Sequence, residues 1–136
     1  MDTYDLSSFG REQLELFVRL SYVDEAARAT LEKIIALKDG LAATEGQLHA
    51  IDRETSEIGQ DQQRLRDNIK ALTATAEARQ LITRYIAKAG EQETRLEQLT
   101  KDKQAAALER IRLQEELARM IRGLTVDHLL TQNQAP

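Results

Sequence analysis

Few side chains in this sequence could do chemistry. Two histidines, His49 and His128, are the side chains whose ordinary pKa lies near neutrality. Neither is matched by another histidine or a cysteine at metal-ligand spacing, so both read as solvated side chains. Cysteine is absent, which removes disulfides, thiolate nucleophiles and cysteine metal sites. There is no glycine-rich phosphate loop and no nucleophile elbow. The carboxylates fall at helix-surface spacing, with Glu91–Arg95, Glu97–Lys101 and Glu115–Arg119 in the favourable acid-first order. The residues nominate no catalytic, cofactor-binding or metal-ligating group, and the expectation is a non-enzymatic chain.

One group of side chains could recognise a partner. Arg64, Arg66, Lys70, Arg79 and Arg84 gather in the middle of the chain. Residues 60–90 hold six basic and three acidic residues, a net +3, against −4 for the whole chain. Such a surface could meet an acidic protein, a nucleic acid or an anionic membrane. Nucleic acid is the weaker reading, because single-stranded ligands need stacking aromatics and the segment offers Tyr85 alone.

The elements that hold these residues are legible in the composition. Aromatic residues are 4% of the chain and charged residues 31%. The apolar supply is therefore Leu, Ile and Ala, the material of long helices and coiled coils. Residues 27–72 repeat every seven. With Ala27 at position a, the a series is Ala27, Ile34, Leu41, Leu48, Thr55, Gln62 and Ile69. The d series is Thr30, Leu37, Thr44, Ile51, Ile58, Leu65 and Leu72. Ten of these fourteen are apolar. A second repeat has Ile82, Ala89, Leu96, Lys103, Arg110, Leu117 and Leu124 at a, and Ala78, Tyr85, Gln92, Leu99, Ala106, Leu113 and Met120 at d. Lys103 and Arg110 interrupt its stripe. Either their stems snorkel past the seam or the register slips locally.

Two stripes of similar length predict a chain that folds back on itself. Pairing residues whose numbers sum to about 147 sets Leu65 on Ile82, Ile51 on Leu96, Leu48 on Leu99 and Ile34 on Leu113. The turn, in "LTATAE", has neither glycine nor proline. Thr73 and Thr75 are both suitable N-caps, and Glu77 suits the first turn of the following helix. Gly59 and Gly90 should lie near one level, either as a soft point or as surface glycines. The competing arrangement is an uninterrupted helix that dimerises.

At the other end, "REQLELFVRL" (11–20) reads as a short amphipathic helix, and Ser21 and Asp24 can cap the long helix after it. Leu31, Ile35, Leu108, Ile111 and Ile121 form a second apolar set, with Ile35 and Ile111 expected as neighbours. The short helix should cover this set, unless a second copy of the chain does. The fold class is therefore all-α: a long antiparallel coiled-coil helical hairpin with a short N-terminal helix packed at its base. Residues 1–10 are an extension and 11–127 the hairpin domain. Within it lie the short helix 11–20, long helices 23–72 and 76–123, and the turn 73–75. Residues 128–136 should fray. No run is apolar enough to span a bilayer.

Three stretches, "LEKIIALKDGLA" (31–42), "DQQRLRDNIKAL" (61–72) and "RYIAKAGEQETRLEQL" (84–99), resemble the C-terminal helical region of uncharacterised bacterial proteins related to the mucoidy-inhibitor-like group. The resemblance implies a domain of a larger bacterial protein, with a β-rich region before the helices and a place in the cell envelope or periplasm. It implies no catalytic or ligand residue. The functional expectation is a rigid spacer or protein–protein interaction arm, its partner being another protein or the rest of the parent chain. Two alternatives stand beside it: an arm that binds nucleic acid or an anionic surface through its basic tip, and an accessory domain of an enzyme.

Overall fold

The computed structural model describes residues 10–13, 25–72 and 75–134, with side chains through Leu124. It is an all-α helical hairpin. Helix α1 is Glu25–Ala71, 47 residues, and helix α2 is Ala76–Gln134, 59 residues. Both are built from strong helix formers, and the one proline is Pro136. None of the described glycines has positive φ, so none uses glycine's left-handed freedom.

The reversal falls where the threonines predict it. Leu72 N–H bonds Ile69 O at 3.3 Å, closing α1 with a tight last turn. Lys70 stands in that turn, where the helix dipole favours a cation. Of the two candidate caps, Thr75 acts: Ala78 N–H donates to Thr75 Oγ1 at 3.0 Å, the bond expected of an N-cap hydroxyl. Arg79 N–H to Thr75 O, 2.9 Å, is the first helical bond of α2. Thr73 lies outside the described residues. Thr30, Thr44, Thr83, Thr94 and Thr100 satisfy their hydroxyls on the carbonyl four residues back, as Thr44 does on Gly40 at 2.8 Å.

The far end of α2 differs from expectation. The helix continues past 123 to Gln134, through most of the stretch expected to fray. No strong stop signal precedes Pro136, and a single Gly123 costs only about 1 kcal/mol in a helix interior. The short N-terminal helix starts where predicted. Residues 11–13 are helical, and Gly10 N–H donates to Gln13 Oε1 at 2.8 Å, half of a capping box. Arg11 Nε bonds Asp39 Oδ2 at 2.9 Å, which ties these residues to α1. Residues 14–20, and the proposed caps Ser21 and Asp24, lie outside the described residues.

The chain divides into two compact units, Met1–Glu45 with Leu108–Pro136, and Gly46–Ala107. In the first, the end unit, Leu31 and Ile34 are fully buried and pack with Ile35, Leu117, Met120, Ile121 and Leu124. Leu113 meets the bare backbone of Gly40: a Cβ built there would lie 3.5 Å from Leu113 Cδ1. In the second, the turn unit, Leu48, Ile51, Leu65, Ala78, Leu99 and Ala106 form the buried seam. A buried Leu or Ile stabilises by about 1.5–3 kcal/mol, so this seam dominates stability.

Register is the main correction. The cross-helix contacts are Gly40–Leu113, Glu45–Arg110, Asp52–Lys103, Glu54–Arg95, Asp61–Lys88, Asp61–Gln92 and Gln62–Glu93. Every pair sums to between 149 and 155, not 147. Sliding by one heptad, to 154, restores a-on-d layers. Leu48 then faces Ala106 rather than Leu99, and Ile34 faces Met120 rather than Leu113, in keeping with the packed cluster. Apolar stripes alone are blind to a seven-residue slip, but charges are not. At the expected alignment the same edge contacts would set Lys38 on Arg110 and Asp52 on Leu96. In the observed one, Lys103 and Arg110 leave the seam sideways to reach Asp52 and Glu45.

The second apolar set divides as well. Leu31, Ile35 and Ile121 belong to the end-unit cluster. Leu108 and Ile111 stay 69% and 48% exposed, so Ile111 is not the neighbour of Ile35.

Candidate functional site on the edges of the turn unit

Antiparallel packing gives the turn unit two flanking edges, and the sequence treats them differently. One edge carries Glu54, Asp61, Lys88 and Arg95. Arg95 Nη2 donates to Glu54 Oε1 at 3.0 Å, and its Nε engages the other oxygen of the same carboxylate. This fork is made across the hairpin instead of along α2 to Glu91. The other expected pairs along α2, Glu97–Lys101 and Glu115–Arg119, do not form.

Asp61 is the hub of that edge. It accepts from Arg64 Nε at 2.9 Å and from Gln92 Nε2 at 2.6 Å, and Lys88 Nζ stands 3.4 Å away. The Arg64 hydrogen bond, then those of Gln92 and Lys88, hold its carboxyl below the usual range. The hydrogen bond from Arg95, aided by its charge, does the same for Glu54. Gln92 sits at d, in the seam, and its Oε1 is buried without a hydrogen-bond partner among the described residues. Gln62 donates to Glu93 Oε1 at 2.8 Å. Asp61–Gln62 and Gln92–Glu93 thus make one polar layer across the hairpin.

The opposite edge begins with matched charges. Asp52 receives Lys103 Nζ at 2.8 Å. Toward the turn this edge changes sign. The same numerical offset brings Gly59 to the level of Leu96, then Arg66 to the level of Ala89; the acid on this stretch, Glu93, stands one turn back and is engaged by Gln62. Arg66 Nη2 donates to the amide oxygen of Gln63 at 3.0 Å. Arg66, Lys70, Arg79 and Arg84 are exposed, and none has an acidic partner among the described residues. Ile86 lies on this edge too, 60% exposed.

The five basic residues therefore do not form one patch. Arg64 and Arg66 are two residues apart, about 200° around α1. Arg64 belongs to the Asp61 hub, while Arg66, Lys70 and Arg79 share the other edge. Arg84, about 140° around α2 from Arg79, points elsewhere. Sequence order hid this division, and helical phase would have revealed it. Ile86, at the same heptad position as Arg79, was the neighbour that the charge count missed.

His49 is exposed. The side chain of His128 lies outside the described residues. No group of three or more His, Asp or Glu among the described residues could hold a metal ion. No described helix is long and apolar enough to cross a membrane. Tyr85 is half-buried. No protein-family model matches the chain, nor does any curated protein or solved structure.

Proposed function

We propose that the chain is a non-enzymatic coiled-coil arm, a spacer or protein–protein interaction element of a larger bacterial protein. The observation that supports this best is how the helices use their apolar residues. Leu48, Ile51 and Leu65 of α1 and Ala78, Leu99 and Ala106 of α2 are buried in the seam of the turn unit. Apart from exposed Ile86, Leu108 and Ile111, the remaining described surface is mostly polar helix, suited to contact with another protein rather than to enclosing a small molecule. The resemblance to the mucoidy-inhibitor-like helical region supports a place within a longer chain.

Site-specific photo-crosslinking in producing cells tests the reading. A photoreactive residue replaces Ser56, Arg79 or Arg119, one variant at a time. Adducts with another polypeptide, or with another part of the same chain, are expected at one or more positions. Adducts with nucleic acid, or none at any outward position, would remove the proposal.

A further inference from the structure

The interaction-arm reading leaves open what the arm meets, and one edge of the turn unit is specific about it. We propose that the edge carrying Arg66, Arg79 and Ile86 docks an acidic helical segment of a partner protein. The premise is that the hairpin is an interaction arm.

Three observations converge. The first is charge. The opposite edge is internally matched, since Asp61 gathers Arg64, Gln92 and Lys88 while Glu54 holds Arg95. On the docking edge the acid-to-cation pairing stops at Asp52–Lys103. Arg66 then stands level with Ala89, and Arg66 and Arg79 have no acidic partner among the described residues.

The second is an apolar side chain out of place. Ile86 is 60% exposed at an edge position, where a two-helix pair normally carries charge. It lies level with Ile69, which is half-buried, and beside Arg66 and Ala89. The edge is thus an apolar notch flanked by guanidinium groups. A third helix packed there would cover Ile86 and bring its own carboxylates to Arg66 and Arg79. Such forked donors favour carboxylates.

The third is spacing. Arg79 and Ile86 are seven residues apart on α2, about 10 Å along the axis. With Arg66 level with Ala89, the two arginines stand about 15 Å apart along the axis, on either side of Ile86, and match glutamates three turns, eleven residues, apart on a partner helix. An apolar residue next to one of them would fill the notch. An exposed apolar anchor between cations fits a protein better than an RNA, which would want an aromatic platform.

The test uses the full chain and a fluorescein-labelled synthetic helical peptide bearing two glutamates eleven residues apart with a leucine one turn inside the first. Anisotropy at low salt should show saturable binding that weakens as salt rises. The variant R66E/R79E should weaken it by more than about tenfold, and I86S should weaken it too. The variant R53E/R84E makes the same change in net charge on other faces, away from the Asp61 hub, and should alter it by less than about threefold. Circular dichroism of each variant shows that the helices persist. A labelled single-stranded RNA and phosphatidylserine vesicles run beside the peptide. The inference is overturned by no peptide binding up to about 1 mM, by equal loss in the two double variants, or by binding of RNA or vesicles alone. If photo-crosslinks meanwhile join the chain to a protein through other faces, the arm reading survives and this edge does not.

Discussion

Gly46, Gly59 and Gly90 all lie inside the long helices of the turn unit, with helical-sign φ. A Cβ built on any of them meets nothing within 4 Å. Alanine therefore adds a methyl group to open space and removes conformational freedom from the unfolded chain. In a helix interior the change stabilises by about 1 kcal/mol per site. The three sites share no neighbour, so the effects should add to about 3 kcal/mol in the triple variant. For a chain of this length, each kilocalorie should raise Tm by about 3–5 °C. Gly40→Ala is the internal comparison. Its Cβ would reach Leu113 Cδ1 at 3.5 Å, an ordinary contact, so the change should stabilise at least as much as the open sites. Urea unfolding followed by far-UV circular dichroism reads all four. A loss of stability at Gly59 or Gly90 would refute the reasoning, because it would mean that something occupies the space beside that backbone. Mass measurement on the same samples would show whether a second copy does.

Four further outcomes follow from the geometry. Thr75→Ala removes the hydroxyl that accepts from Ala78 N–H. It should cost about 1 kcal/mol in urea unfolding, with Thr75→Ser restoring most of it. Gln92→Leu removes a buried oxygen without a partner and places an apolar group at d. It should stabilise by about 1 kcal/mol or more on the same assay, and a clear loss would show that the layer matters for stability. Asp61 and Glu54 have lowered pKa values in the folded chain. What they contribute is complete above the ordinary carboxylate range and fades as pH falls through it, below about pH 4. Asp61→Asn with Glu54→Gln should flatten that part of an acid titration of the urea midpoint. Finally, with no native cysteine in the way, spin labels at Ala50 and Ala105 should lie closer than labels at Ala50 and Gln98. The reverse order would restore the alignment at 147.

Helix type, the site of reversal and a pair of candidate capping threonines were legible because each rests on local chemistry. A seven-residue stripe makes an amphipathic helix whatever it packs against, and Thr75 caps α2 through atoms three residues away. Register was not legible from the same stripe. Two heptad patterns dock equally well after a slip of seven, and Leu48 finds an apolar d residue either way. The deciding residues, Glu45, Asp52, Lys103 and Arg110, lie at the margin of the seam and on it, and their joint pairing works with the Gln62–Gln92 layer against the neighbouring alignment. The basic group divides for a related reason: residues close in sequence need not share a face, and Arg64 and Arg66 point to opposite sides of α1.

The polar layer connects these points. At Gln62 and Gln92 the seam gives up apolar contact, and the turn unit is weaker for it. Yet the layer pairs amides with Asp61 and Glu93 in one alignment only. A slip of one heptad would bring Gln62 to the level of Ile86 and leave Asp61 without Gln92. The layer therefore selects an alignment at a cost in stability, as isolated polar positions do in coiled coils. That selection also decides what the edges display. In the slipped alignment Ile86 would be level with Gln62, and Arg66 with Ile82. The notch of Ile69, Ile86 and Arg66 would not exist. Whether the docking edge is present at all is thus set by side chains that never touch the partner. Replacing Gln62 and Gln92 together by leucine should raise stability while weakening peptide binding, an opposition that a purely structural layer would not produce.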